Sequence, residues 1–264
     1  MMILITTLLF FSLSSVAYAG NSIYIEQIGT SDDTTITIEQ DGNDNSVNLS
    51  MDHDDNTLDF IQHGNNNTIS WVSYWGSGKS WGGDLDGTNN SIKIEQYNTT
   101  GSDSNTVGFH MPGDDNNVHV CQGATFPSDS STSCSSSSSS EYGGHTANID
   151  IHADGNDLKI GQQTGTGNAD HYAQIYYYGA DDNTTFVKQN GNGNKTLRMT
   201  IYTDGGEQSI VQKDSGAHES NITLSGSYGT DLSVTQQGSS AQSYSLSQNC
   251  QTSGGCSVSV TQGN

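Results

Sequence analysis

The stretch Thr35-Ile36-Thr37-Ile38-Glu39-Gln40-Asp41-Gly42-Asn43-Asp44-Asn45-Ser46-Val47-Asn48-Leu49-Ser50-Met51 decides the fold. Apolar and polar residues alternate on both sides of a Gly-Asn turn, the period-two pattern of half-buried strands. The phrase returns as Asn56-Thr57-Leu58-Asp59-Phe60-Ile61-Gln62-His63-Gly64-Asn65-Asn66-Asn67-Thr68-Ile69, so that its glutamine stands 22 residues after Gln40.

Aligned on glutamine, the unit Asn-x-apolar-x-apolar-x-Gln recurs along the chain. It ends at Gln27, Gln40, Gln62, Gln96, Gln122, Gln162, Gln236, Gln248 and Gln262, with weaker copies at Gln189 and Gln212. Asparagine stands six residues earlier at Asn21, Asn56, Asn90, Asn116, Asn156 and Asn183. Partner strands keep the alternation but usually lack the glutamine, and several open on asparagine, as at Asn45, Asn67 and Asn105. Uninterrupted units are 22 to 24 residues long, which gives about nine units of two strands each. Two insertions break the rhythm, one at about 74–89 with Trp75 and Trp81, the other at about 124–146 with a serine tract and Cys134. Both are expected to loop out of the stack.

Side chains two apart in a strand share a face, so the asparagine, the two apolar residues and the glutamine of a unit point the same way. One unit cannot bury that stripe alone. Folded as a strand-turn-strand arch and stacked on its neighbours, it forms two facing parallel sheets around a thin core. Glutamines and asparagines of successive rungs then lie over one another and satisfy each other's amides. The expected fold is an all-β solenoid of about nine rungs in a single domain over 20–264. Outward positions such as Glu26, Thr37, Glu39, Asp59 and Glu95 are expected to be solvated, as are His119 and His152. The inner face is expected to carry no charge.

Composition agrees with this thin core. The chain has 264 residues, 31% of them hydrophobic, and a formal charge of −22. Nucleic acid is excluded as a partner, because binding it requires clustered cations. Residues 1–19 read as a signal peptide, with an apolar run from Ile3 to Phe11 and Ala17-Tyr18-Ala19 before the cleavage point. No later segment has the apolar length of a membrane span. The exported chain keeps Cys121, Cys134, Cys250 and Cys256, which permit two disulfides in three connectivities; proximity favours Cys121 with Cys134 and Cys250 with Cys256. No metal site and no cofactor is expected. The histidines match no catalytic motif, and the acidic turns match no calcium-binding loop.

Gln40-Asp41-Gly42-Asn43-Asp44-Asn45-Ser46-Val47 and Gln62-His63-Gly64-Asn65-Asn66-Asn67-Thr68-Ile69 resemble the curlin repeat of bacterial curli subunits. The likeness extends over most of the chain after residue 19, although curli subunits typically have about five repeats. It implies an amyloid-like β-solenoid subunit, secreted and polymerised into extracellular fibres of a biofilm matrix. It also implies a homopolymer as the principal partner, with a nucleator subunit and an outer-membrane export machinery. Strands begin as early as Ile23, where curli subunits carry an export segment, so the export route is left open.

The expected function is therefore structural and non-enzymatic: head-to-tail self-assembly through the ladder residues. The alternative is a monomeric solenoid adhesin or glycan-binding module that works through Trp75, Trp81 and the serine loop. Neither the first nor the last strand has a polar cap in the sequence, and an open sheet edge is a template for another chain.

Overall fold

The computed structural model describes residues 20–27, 34–51, 56–69, 72–73, 80–81, 83–85, 87–98, 103–124, 126–128, 130–131, 133–135, 144–163, 169–177 and 179–263. The expected signal peptide at 1–19, His53, Trp71, Trp75 and most of the serine tract lie outside these residues. Among the described residues there is no helix, and so none long and apolar enough to cross a membrane.

The chain begins with β1 (Ser22–Gln27), β2 (Thr35–Asp41), β3 (Ser46–Met51), β4 (Thr57–Gly64), β5 (Thr68–Ile69), β6 (Val72–Ser73), β7 (Ser80–Trp81) and β8 (Gly83–Leu85). It continues with β9 (Ser91–Asn98), β10 (Thr106–Met111), β11 (Asn117–Gln122), β12 (Thr146–Ile151), β13 (Asp157–Lys159) and β14 (His171–Tyr177). The last strands are β15 (Lys195–Thr196), β16 (His218–Gly226), β17 (Thr230–Asp231), β18 (Gln242–Cys250) and β19 (Cys256–Ser257).

These strands form a β-solenoid. One sheet, here sheet A, runs β1-β3-β5-β10-β12-β14-β15-β16-β18, and the facing sheet B runs β2-β4-β9-β11-β13. Every pairing in both is parallel. Beyond β13, sheet B continues as isolated parallel bridges, Asp157 to Thr184, Thr184 to Glu207 and Lys188 to Val211, and then as β17 beside β19. Each rung pairs one segment of sheet A with the segment of sheet B that follows it, and the described residues form nine rungs.

Alternation explains the core. In sheet A, Val47, Leu49 and Met51 face inward and are buried, as are Val107, Phe109 and Met111 one rung beyond the β5/β8 rung. In sheet B, Leu58 and Phe60, Ile92 and Ile94, Val118 and Val120, and Leu158 and Ile160 supply the opposing row. The register holds like over like: Leu58 pairs with Ile92 and Ile92 with Val118. Stacked turns come so close that Gly42, at φ 119°, has no room for a side chain, since a Cβ there would lie 1.9 Å from the Gly64 carbonyl oxygen.

The first insertion is shorter than the sequence suggests, because it interrupts a strand rather than a turn. After β5 the chain leaves the sheet, β6 and β7 pair as an antiparallel hairpin, and β8 returns to the same rung between β3 and β10. Gly83–Leu85 thus belong to the stack, and Gly87 to Asn90 form its ordinary turn. At the second insertion His145 already belongs to the rung, its carbonyl accepting from the Thr106 N–H at 2.8 Å.

Candidate functional site

The repeated inner positions build three ladders along the stack. In the first, Gln40, Gln62, Gln96, Gln122, Gln162, Gln189, Gln212, Gln236 and Gln262 occupy the same place at the end of each sheet B strand, because their rungs are in register. Each amide bonds along the stack: Gln40 donates to Gln62 at 2.7 Å, Gln62 to Gln96 at 2.8 Å and Gln96 to Gln122 at 2.9 Å. From the other end, Gln262 donates to Gln236 at 3.1 Å, Gln236 to Gln212 at 2.7 Å, Gln212 to Gln189 at 2.6 Å and Gln189 to Gln162 at 2.7 Å. The donor direction thus converges on the step from Gln122 to Gln162, where the second insertion leaves the stack.

The same Nε2 groups also tie across the rung. Gln62 donates to the Ser46 carbonyl, Gln96 to Thr68, Gln122 to Thr106, Gln162 to Thr146, Gln189 to Tyr172, Gln212 to Thr196, Gln236 to Glu219 and Gln262 to Ser243. A primary amide has two N–H donors, one spent along the axis and one across the core, which no other neutral side chain of this length supplies. The sequence signals the first role through repetition. The second depends on the arch bringing the end of one strand over the start of the other.

Gln27 and Gln248 fall outside this ladder. Both sit on sheet A, Gln27 in register with Met51 and Gln248 with Leu224, so their rows are otherwise apolar. The motif is shared, but the sheet is not. A local pattern cannot tell the two sheets apart when both alternate with the same parity.

The asparagines divide between two corners. Where the chain enters sheet B, Asn116 N–H donates to Asn90 Oδ1 at 2.9 Å, Asn156 to Asn116 at 3.0 Å, Asn183 to Asn156 at 2.9 Å and Gly206 to Asn183 at 3.0 Å. Asn56, also buried, heads the same row. Their Nδ2 groups hold the neighbouring turns, as Asn90 does at the Gly113 carbonyl and Asn116 at Ala153. Where the chain enters sheet A, Asn45 N–H donates to Asn21 Oδ1 at 2.9 Å, Asn67 to Asn45 at 3.0 Å, and Asn105 Nδ2 to Asn67 Oδ1 at 3.1 Å. Most of these asparagines supply what the turns lack, an acceptor for the next rung and a donor to a turn carbonyl, which is the neighbouring turn's for Asn45, Asn90 and Asn116 and its own for Asn67 and Asn183.

The sheet A corner then changes chemistry. His145, His171, Lys195 and His218 continue the row, and each is buried. The inner face therefore carries ionisable groups, contrary to the expectation of an uncharged one. His145 N–H donates to Asn105 Oδ1 at 3.3 Å, and His171 N–H donates to His145 Nδ1 at 3.3 Å. Lys195 Nζ is fully enclosed and donates to the carbonyls of Gly193, Asp214 and Gly216 at 2.6, 3.0 and 2.9 Å. Burial pushes His145 well below the usual imidazole range, with the neighbouring His171 adding to the effect. Burial, reinforced by Lys195, lowers His171 to about 4, and burial lowers Lys195 to about 8. The signal was present in the parity of His145-Thr-Ala147-Asn-Ile149 and its successors, which puts the histidine on the inward row.

On the outer face of sheet B, Glu95 and His119 are only 5% and 7% exposed, not solvated as their outward parity suggests. The second insertion folds back over them. The Cys121–Cys134 disulfide anchors it, and Phe126 meets the His119 ring edge-on at 4.7 Å. Burial alone would raise Glu95, but hydrogen bonds from His119, Lys93 and Tyr97 outweigh it and hold the carboxyl down to about 2. The contacts are Lys93 Nζ at 2.9 Å and Tyr97 Oη at 2.8 Å, with His119 Nε2 at 3.6 Å. The second disulfide, Cys250–Cys256, closes the turn of the last rung.

The acidic turns spend carboxylates on backbone. Asp114 accepts from the Thr88 N–H, Asp154 from Asp114, Asp181 from Asp154 and Asp204 from Asp181. Much of the negative charge therefore belongs to the turn stack.

Both ends of the stack are open among the described residues. Inner residues of interior rungs are almost fully buried, whereas Ile23 of β1, in register with the buried Val47, is 49% exposed. Ile36 and Ile38 at one end, and Tyr244, Leu246, Val258 and Val260 at the other, are only partly buried. Comparison with family models, with curated proteins and with solved structures finds no match for this chain.

Proposed function

We propose that the protein is a secreted structural subunit whose copies stack end to end into amyloid-like extracellular fibres of the curlin type. The observation that carries this reading is the half-exposed inner row on the two terminal rungs, with Ile36, Ile38 and Gln40 at one end and Val258, Val260 and Gln262 at the other. Each row has the spacing of the rung that would cover it, and an unpaired edge attracts a strand. Gln40 and Gln262 both donate inward, so a joined pair brings two amide oxygens together. One half-ladder then turns its amides over about a soft terminal torsion. The ladder glutamines and corner asparagines act in this reading as the fixed lattice that a second copy extends.

Electron microscopy and fibre diffraction of the purified chain test it. Unbranched filaments with a meridional spacing near ~4.7 Å are expected. Ile38→Lys at one edge or Val260→Lys at the other should stop elongation while leaving the far-UV β signal intact. A persistently monomeric wild-type chain favours the adhesin reading, and filaments that grow equally in both variants show that the ends are not the joining surfaces.

A further inference from the structure

On the outer face of sheet A three side chains meet that the ladders do not use. His110 is the last residue but one of β10, Asp150 lies beside it in register on β12, and His152 follows β12 on the same outward parity. His110 Nδ1 and His152 Nε2 each lie 2.9 Å from Asp150 Oδ1, and their rings are 4.9 Å apart in an edge-on arrangement. One ligand atom from each residue lies within 4.8 Å of the others. Asp150 is 7% exposed, and its second oxygen, Oδ2, is buried without a hydrogen-bond partner. A buried carboxylate with one oxygen left in that state carries charge that is costly to bury, and a cation held by the other oxygen, Oδ1, would offset it.

We infer that His110, Asp150 and His152 form a binding site for a divalent transition metal such as Zn2+. Zinc bonds of about 2.0–2.1 Å to imidazole nitrogen and carboxylate oxygen in tetrahedral geometry put ligand atoms about 3.3 Å apart, so an ion would replace the two 2.9 Å hydrogen bonds to Asp150 with only a small opening of the triangle. Two nitrogen donors with one oxygen select zinc, copper or nickel over calcium and magnesium, which prefer oxygen alone. His152 is exposed, so the ion enters from solvent and keeps open positions on that side. Because His110 and Asp150 belong to adjacent rungs, the ion would clamp the step that lies between Gln122 and His145 in the chain, where the second insertion interrupts the stack.

The test uses the full chain without an affinity tag and with its disulfides intact, at neutral pH. Zn2+ is titrated by calorimetry, and Co2+ is followed by visible absorption. One equivalent of each should bind, and Ca2+ at the same concentration should not compete. His152→Ala lies in an exposed turn and leaves the core untouched, and it should weaken Zn2+ binding at least tenfold with an unchanged circular dichroism spectrum. His63→Ala, on the other sheet, should have no effect. Absence of saturable uptake by the wild type overturns the site, as does retention of wild-type affinity in His152→Ala or in His110→Ala.

Discussion

At the corner where the chain enters sheet A, the first four rungs place Asn21, Asn45, Asn67 and Asn105, whereas the next four place His145, His171, Lys195 and His218. The geometry is conserved across the change. In the asparagine half, Oδ1 accepts the N–H of the following rung and Nδ2 donates to a turn carbonyl, as Asn45 does at Gly64. In the histidine half, His145 Nδ1 accepts the His171 N–H, and His171 and His218 use Nε2 on the Gln163 and Lys213 carbonyls. A neutral imidazole protonated at Nε2 offers the same pair as an amide, one acceptor and one donor, but only while it stays neutral; here His145 uses the acceptor, His171 and His218 use the donor, and the second nitrogen of each ring is buried without a hydrogen bond. The two halves share a fold and differ in their response to acid.

The largest consequence follows from that difference. Burial lowers His171 to about 4 from an ordinary value near 6.5, so its neutral form is favoured by folding and stability is lost as pH falls through that window. The loss is about 3 kcal/mol for a shift of this size, and His145, shifted the same way, adds to it. Hydrogen exchange resolved by segment, compared at pH 7 and pH 4, should show β12, β14 and β16 losing protection before β3, β4 and β9. Equal loss in the two halves would break the comparison.

The glutamine ladder sharpens it from the other side, because its chemistry is the same throughout. Gln96→Leu removes the acceptor for Gln62 and the donor for Gln122, and Gln212→Leu does the equivalent for Gln236 and Gln189. Each orphaned group costs roughly 1–3 kcal/mol, so urea denaturation should report similar losses for both variants, independent of pH between 5 and 8. A loss in one half only would mean that the two half-ladders, which meet between Gln122 and Gln162, do not contribute alike.

A smaller effect is expected from repairing the corner. His145→Asn together with His171→Asn restores the residue type of the earlier rungs and should move the acid-unfolding midpoint down by about one pH unit, read by circular dichroism. The outer face provides the smallest effect. Glu39 is exposed, and Glu39→Gln should change stability by no more than ~0.5 kcal/mol. Glu95→Gln should cost more, and the wild-type contribution of Glu95 should vanish as pH falls through the window between about 4.5 and about 2.

Charge also acts on the outside of the molecule. The chain carries a formal charge of −22, and stacked rungs hold acidic turns within the Debye length of about 8 Å. Added salt screens repulsion between copies, while protonation of the corner histidines loosens rungs five to eight. Elongation of the proposed fibre should therefore rise with ionic strength at pH 7 and fall as the pH drops toward 4, as measured by seeded growth.

Alternation and repetition by themselves determined the β-solenoid, its rung number, the inward stripe from Leu58 and Phe60 onward, and the glutamine row from Gln40 to Gln262, because side-chain parity in a strand is a local property. What parity could not decide was which sheet a strand joins, so Gln27 and Gln248 had the motif without the ladder. Nor could it decide what covers an outward residue: Glu95 and His119 became buried because the loop that follows β11 folds back through Phe126 and Cys134. The corner histidines were legible in parity but hidden by residue type, since a row read as asparagine does not announce that imidazole can make the same two bonds. The meeting of His110, Asp150 and His152 was not legible at all, because the second insertion separates β10 from β12 in the chain and only the parallel register of stacked rungs makes them neighbours.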